Sequence, residues 1–401
     1  MPEAYIFDAV RTPRGKGEKE GSLYEVKPIE LLVTVFRAIV ARNALDTSKI
    51  DDAIIGCVTA IRDQGANIAK IAAIYAGWND RVGGMTINRR CASGLEACNL
   101  AAMKVQSGND DLFLAGGVES MSRIGMDEDQ GDWFVNPLVN DATAYIPQGI
   151  AADLIATIEG FDRENLDQWA NDSHQKASHA KKSGYFDQSL IPVKDLNGLT
   201  ILDHDEMIRE GTSMERLFQL RPSFGQMGEI GFDATAMSGY PEIERINHVH
   251  HIGNSSGMAD GAAAVLIGSE QIGKCLGLKP RAKFRAMAVV GSEPGTMFTG
   301  NVPASRKALK KAGLTVKDID LFEVNEIFAA VVLKWQQDME IPGDKINPNG
   351  GTVAMGHPLG ATGAMLLGML LDELERQDRT LGLCALSADG GIGVSTVIER
   401  V

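Results

Sequence analysis

Apolar positions along the first part of the chain alternate between two periods. AYIFDAV at 4–10 is a run of strand length, and Pro28 then opens a segment where Ile29, Leu32, Val33, Phe36, Ile39 and Val40 recur three and four positions apart. That spacing lines one face of a helix. DDAIIGCVTA at 51–60 predicts another strand, INRRCASGLEACNLAAMKV at 87–105 a turn leading into a helix of small residues, and DLFLAGG at 111–117 a buried strand. After residue 123 the pattern breaks. MDEDQGDWFVN is acidic and irregular, FDRENLDQWANDSHQKASHAKK predicts a long polar helix stopped at Gly184, and the following stretch to about residue 250 offers little strand signal. The region reads as an insertion. Strand and helix periods then return in KFRAMAVVG, PASRKALKKAG and DIDLFEV, with Pro303 at the helix start and Gly313 at its stop.

The two ends share a plan. A turn at Cys91 leads into a small-residue helix, and in TVAMGHPLGATGAMLLGMLLDEL a turn at His357 leads into another. If the two helices face each other, their N-termini place one reactive side chain each in a common space.

Composition narrows the function classes. With 401 residues and 44% apolar content the chain can bury a large core, and its net charge of −14 argues against a broad nucleic-acid surface. No apolar run reaches the length of a membrane span, and MPEAYIFDAV lacks the regions of a signal peptide. Five cysteines without a CxxC pair suit a reducing compartment, so the expected location is cytoplasmic. The glycines of DGGIGVS do not complete a dinucleotide fingerprint, and a GK[ST] phosphate loop is missing.

Candidate chemistry concentrates at three positions. Cys91 stands just before a helix and just after Arg89 and Arg90, a setting that favours thiolate over thiol. Cys98, Cys57, Cys275 and Cys384 read as structural. His357 sits among glycines that allow close approach of backbone and ligand, where an imidazole can take a proton or donate to an oxyanion. Asn325, in VNEIFAA after DIDLFEV, either caps a helix or presents an amide at a strand's carboxyl end. His248, His250 and His251 invite a metal reading, but strand alternation turns the last two apart and no acidic or cysteine partner lies in the local run. No metal is expected.

Taken together, NRRCASGLEA, GGVESMS, GNSSGMADGAAA, PASRKALKKAG, VNEIFAA, GGTVAMGHPLGATG and GIGVSTVIERV resemble the thiolase family, the acetyl-CoA acetyltransferases and 3-ketoacyl-CoA thiolases. The resemblance spans nearly the whole chain. It implies an α/β, five-layered αβαβα fold of two similar halves, 1–123 with 251–275 and 276–401, with a loop domain at 124–250 over the coenzyme A site. It implies a homodimer or homotetramer acting on acyl-CoA and coenzyme A, with no covalently bound cofactor. Cys91 becomes the acylated nucleophile; His357 activates it and, with Asn325 holding a water, forms an oxyanion site. Arg209 and Ser256 match positions that contact coenzyme A, and Phe328 a position near the acyl group.

Two departures stand out. Where the family carries Cys-x-Gly-Gly-Gly, this chain reads SADGG, so Ser387 replaces the cysteine that serves as acid and base at the substrate's α-carbon, and Asp389 replaces a glycine. Strand alternation turns Cys384 away from Ser387 but places Asp389 on the same face, as a possible compensating group. IPQG at 146–149 stands where short-chain members carry His-Met-Gly, which puts Gln148 at the substrate side. The leading expectation is thiolysis of a 3-ketoacyl-CoA, or Claisen condensation with acetyl-CoA, through an acyl-Cys91. The alternatives are a divergent member limited to acyl exchange or slow thioester hydrolysis, and a non-catalytic acyl-CoA-binding protein.

Overall fold

In a computed structural model, which describes residues 2–401, the predicted halves become two copies of one strand plan. The first contains β1 (Ala4–Arg11), α1 (Pro28–Arg42), β2 (Asp52–Gly56), α2 (Ile68–Tyr75), β3 (Met85–Ile87), α3 (Ser93–Ser107) and β4 (Leu112–Ser120). An insertion carrying α4 (Gln148–Glu159) and α5 (Arg163–Lys182) precedes its last strand, β5 (Ala259–Ser269). The second contains β6 (Ala282–Gly291), α6 (Asn301–Ala312), β7 (Leu321–Val324), α7 (Ala329–Met339), α8 (Leu359–Arg376), β8 (Leu381–Ala388) and β9 (Ile392–Arg400).

The strand orders are β3-β2-β4-β5-β1 and β7-β8-β9-β6, joined where β1 meets β6 through Tyr5 with Lys283 and Ile6 with Ala282. The pairings farthest from the β1–β6 seam are parallel, β3 with β2 and β2 with β4 in the first set and β7 with β8 in the second, and the next two in each set are antiparallel. The halves differ in one connection. β8 turns directly into β9, whereas β4 reaches β5 only through the insertion.

Three apolar clusters define the layers. α3 and α8 lie in the middle, packed with inward residues of both strand sets such as Ile6, Phe113, Val265, Leu386 and Val394. α1 and α2 cover the outer face of the first set, and α6 and α7 that of the second. The resulting order is αβαβα. Leu366, Leu367, Leu370, Leu371 and Leu374 of α8 are fully buried, and each such side chain contributes about 1.5–3 kcal/mol. No described helix is long and apolar enough to cross a membrane.

Small residues bring the two central helices into contact at their N-terminal ends. A Cβ added to Gly94 would sit 2.6 Å from the Gly360 carbonyl oxygen, and one on Gly363 would sit 2.4 Å from the Leu95 nitrogen. Any larger residue would push the helices apart, and with them the loops that carry Cys91 and His357. Glu119, buried at the end of β4, locks the same region by accepting N–H groups from Val58, Thr59 and Gly360.

Candidate active site

Cys91 lies between β3 and α3, one residue before the helix's N-cap Ala92, and is buried in an apolar cluster with Ile146, Ile150, Phe328, Leu359 and Ala388. Arg90 before it adopts a left-handed φ of 50°. A non-glycine residue rarely takes that conformation. Here it occurs at the turn that leads into the helix.

That guanidinium is already engaged. Arg90 Nε is 2.9 Å from each Asp389 carboxylate oxygen, and a terminal nitrogen is 2.5 Å from Oδ2 and 2.9 Å from Asp127 Oδ1. The sequence-based expectation of a cation-stabilised thiolate therefore needs correction. Burial and then the Asp389 charge push the Cys91 thiol up, and Arg90 only partly opposes them.

His357 occupies the turn before α8, held by its backbone N–H to the Gly257 carbonyl at 2.9 Å. Its Nδ1 lies 2.7 Å from Thr362 Oγ1 and its Nε2 3.3 Å from Asn325 Nδ2. Thr352 donates its hydroxyl to Asn325 Oδ1 at 2.8 Å, which assigns the amide orientation and leaves Nδ2 as the donor to the ring. Nε2 then carries a lone pair, and the ring proton sits on Nδ1 facing Thr362. Burial and then the Arg14 guanidinium hold His357 down to about 3. The ring is therefore in its neutral form, with Nε2 unprotonated, across the physiological range.

Asn325 is not a helix cap. It follows β7, but α7 begins four residues later at Ala329 with Phe328 as its N-cap. The intervening turn, whose Asn325 N–H bonds to Ala385 O at 3.1 Å, frees the amide for His357. Phe328 is buried beside Phe298, with ring centroids 5.8 Å apart, in the cluster that holds Cys91.

Ser387, near the end of β8, is fully buried, and its hydroxyl has no hydrogen-bond partner among the described residues. Cys384 faces the central core between the strand sets, as strand alternation requires. Asp389 lies just past β8, which ends at Ala388, in the following turn, so alternation does not govern it. Its two oxygens accept from Arg90, and Gln148 Nε2 approaches Oδ2 at 3.3 Å.

The remaining candidates lie elsewhere. Arg209 is exposed and lines a cavity of about 250 Å³ with His174, His179, Lys182 and Thr212. Ser256 donates its hydroxyl to Ile327 O at 3.0 Å, just upstream of the Gly257 carbonyl that holds His357. Cys275 is exposed rather than part of the core. The histidine run is not a strand: His248 and His250 both meet Asp153, and His251 meets Asp167. No group of His, Cys, Asp and Glu side chains among the described residues is arranged to hold a metal ion. Sequence reasoning missed Thr352, Thr362 and Asp127, whose hydroxyl and carboxylate groups carry no pattern of their own.

The thiolase N-terminal domain family model matches residues 4–239 and the thiolase C-terminal domain family model residues 278–400. A 3-ketoacyl-CoA thiolase of Colwellia psychrerythraea is 40% identical over the full length of both chains, and one of Cronobacter sakazakii 41% identical over the full length of both. The crystal structure of the Bacillus anthracis acetyl-CoA acetyltransferase superposes with a TM-score of 0.87 at 33% identity, covering 100% of this chain and 99% of that one.

Proposed function

The chain belongs to the thiolase family, acyltransferases acting on coenzyme A thioesters, and from that premise we propose that Cys91 carries the acyl group between two of them. The observation that carries this reading is the His357 ring, whose Nε2 lone pair is held by Asn325 and Thr352 in a buried site. The thiol of Cys91 attacks the thioester carbonyl as His357 Nε2 takes its proton. The tetrahedral intermediate then expels the coenzyme A sulfur, which leaves with that proton, and an acyl-Cys91 remains. Once protonated, Nε2 becomes a donor to the oxyanion, so one group serves both steps.

From acyl-Cys91 the acyl group passes to the thiol of coenzyme A or to the α-carbon of acetyl-CoA. The second route requires proton exchange at carbon, for which Ser387 is poorly suited. Coenzyme A is substrate and product. Its nucleotide end fits the cavity of Arg209, with Ser256 nearer the reacting end. The division into two halves, 1–123 with 251–275 and 276–401, with 124–250 over the coenzyme A site, follows the same reading. Brief incubation with acetyl-CoA followed by peptide mass spectrometry is expected to find acetyl on Cys91. Acetyl on Cys98 instead, or on no cysteine, would overturn the assignment.

We also propose a homodimer formed through β3. This strand is the edge of the first set, and around it Ile71, Ile74, Tyr75, Met85 and Met103 are exposed apolar side chains. An edge strand with an apolar border favours pairing with a second copy. Sedimentation equilibrium should give twice the chain mass, and Met85→Asp should lower it; a monomer at micromolar concentration would remove the proposal.

A further inference from the structure

The Arg90–Asp389 pair occupies an unusual place. Arg90 directly precedes Cys91 and Asp389 directly follows Ala388, and both of those neighbours belong to the apolar cluster of the reactive sulfur. The tip of the pair lies against a second apolar group. The guanidinium carbon is 5.2 Å from the Phe134 ring centroid, and Phe134 packs on Trp133 and Tyr145 at 5.3 and 5.8 Å between centroids. Two charged groups therefore stand where the apolar lining around Cys91 would otherwise run on into an aromatic cluster.

The pair is braced from both remaining directions. Asp127 accepts from the terminal nitrogen of Arg90 that also reaches Asp389, and Gln148, at the start of α4, approaches Asp389. Asp389 is 2% exposed, so its hydrogen bonds are made almost wholly to protein. Displacing a buried ion pair with methylene groups strips those bonds and returns nothing to the charges.

We propose that the Arg90–Asp389 pair, braced by Asp127 and Gln148, closes the acyl end of the Cys91 pocket and restricts this chain to short acyl groups. The inference rests on the reading of Cys91 as the acyl carrier, because that places the acyl chain in the apolar cluster beside Ala388. It differs from that reading in what it requires of the substrate. A short chain stays within the apolar cluster; a longer one meets the charged wall.

The test uses S-alkyl-CoA thioethers, which bind but cannot transfer an acyl group, so its result is separate from whether Cys91 is acylated. Binding of the ethyl, butyl and octyl compounds is measured by titration calorimetry on the full chain. In an open apolar channel each added methylene tightens binding by about fourfold. The protein is expected to bind the octyl compound no more tightly than the butyl one. The Arg90→Leu/Asp389→Gly double variant, in which the two apolar groups become continuous, is expected to bind octyl tenfold or more tightly than butyl. Tenfold tighter octyl binding by the unaltered protein overturns the proposal whatever the variant does. So does a double variant with unaltered near-UV circular dichroism and an unaltered ratio.

Discussion

Ser387→Cys is expected to raise the rate of acetoacetyl-CoA thiolysis by about 10²- to 10⁴-fold, the range that positioned acid–base catalysis contributes. Thiolysis expels the α-carbon as a carbanion that must be protonated, and condensation runs the same proton in reverse. A thiol with a reference pKa of about 8.5 can exchange that proton near neutrality, and a serine hydroxyl cannot. Ser387 Oγ is buried without a partner that would activate it. Its cross-strand neighbour is Gly393, which brings no side chain against the larger sulfur. Both oxygens of Asp389 accept from Arg90, which leaves the aspartate a poor substitute, and Cys384 faces the central core. The measurement compares Ser387→Cys, Asp389→Gly and the double variant, with Cys91 acylation followed separately. No gain from Ser387→Cys together with loss of activity in Asp389→Gly would make the aspartate the acid and base.

The alternation of strands and helices was legible because each strand and each central helix carries its own period, whereas the five-layered αβαβα order followed only from the resemblance of the motifs to the thiolase family. Cys91 and His357 could be singled out because each stands where a turn enters a central helix. Long-range charge pairing was not legible. Arg90 looked like support for a thiolate from its neighbours in sequence, but its carboxylate partners are 37 and 299 positions away. Strand alternation places Cys384 in the central core, but it does not extend to Asp389, which lies one residue past the end of β8. Asn325 shows the same limit, because cap and loop amide share one sequence pattern and only the start of α7 at Ala329 separates them. The histidines found Asp153 and Asp167 on α4 and α5, partners that a local run could not reveal.

His357→Ala is expected to slow acylation of Cys91 by about 10²- to 10³-fold, the usual cost of losing one oxyanion donor, with loss of the base adding to it. The pH dependence tests the assignment more sharply than the loss of rate. Burial and Arg14 lower His357 to about 3, so its protonated form is populated only below that pH and the base form prevails above it. Burial and Asp389 raise the Cys91 thiol, so the sulfur stays protonated through neutrality. The reacting pair is thus thiol plus imidazole at every pH from about 5 to 9, and the acylation rate of the unaltered protein should be flat across that window. In His357→Ala the residual rate depends on spontaneous ionisation of the thiol and should climb about tenfold per pH unit over the same range. A rate that falls between pH 7 and 5 in the unaltered protein would mean that the base titrates near its ordinary value rather than near 3, and a His357→Ala variant that keeps the flat profile would remove His357 from the proton transfer.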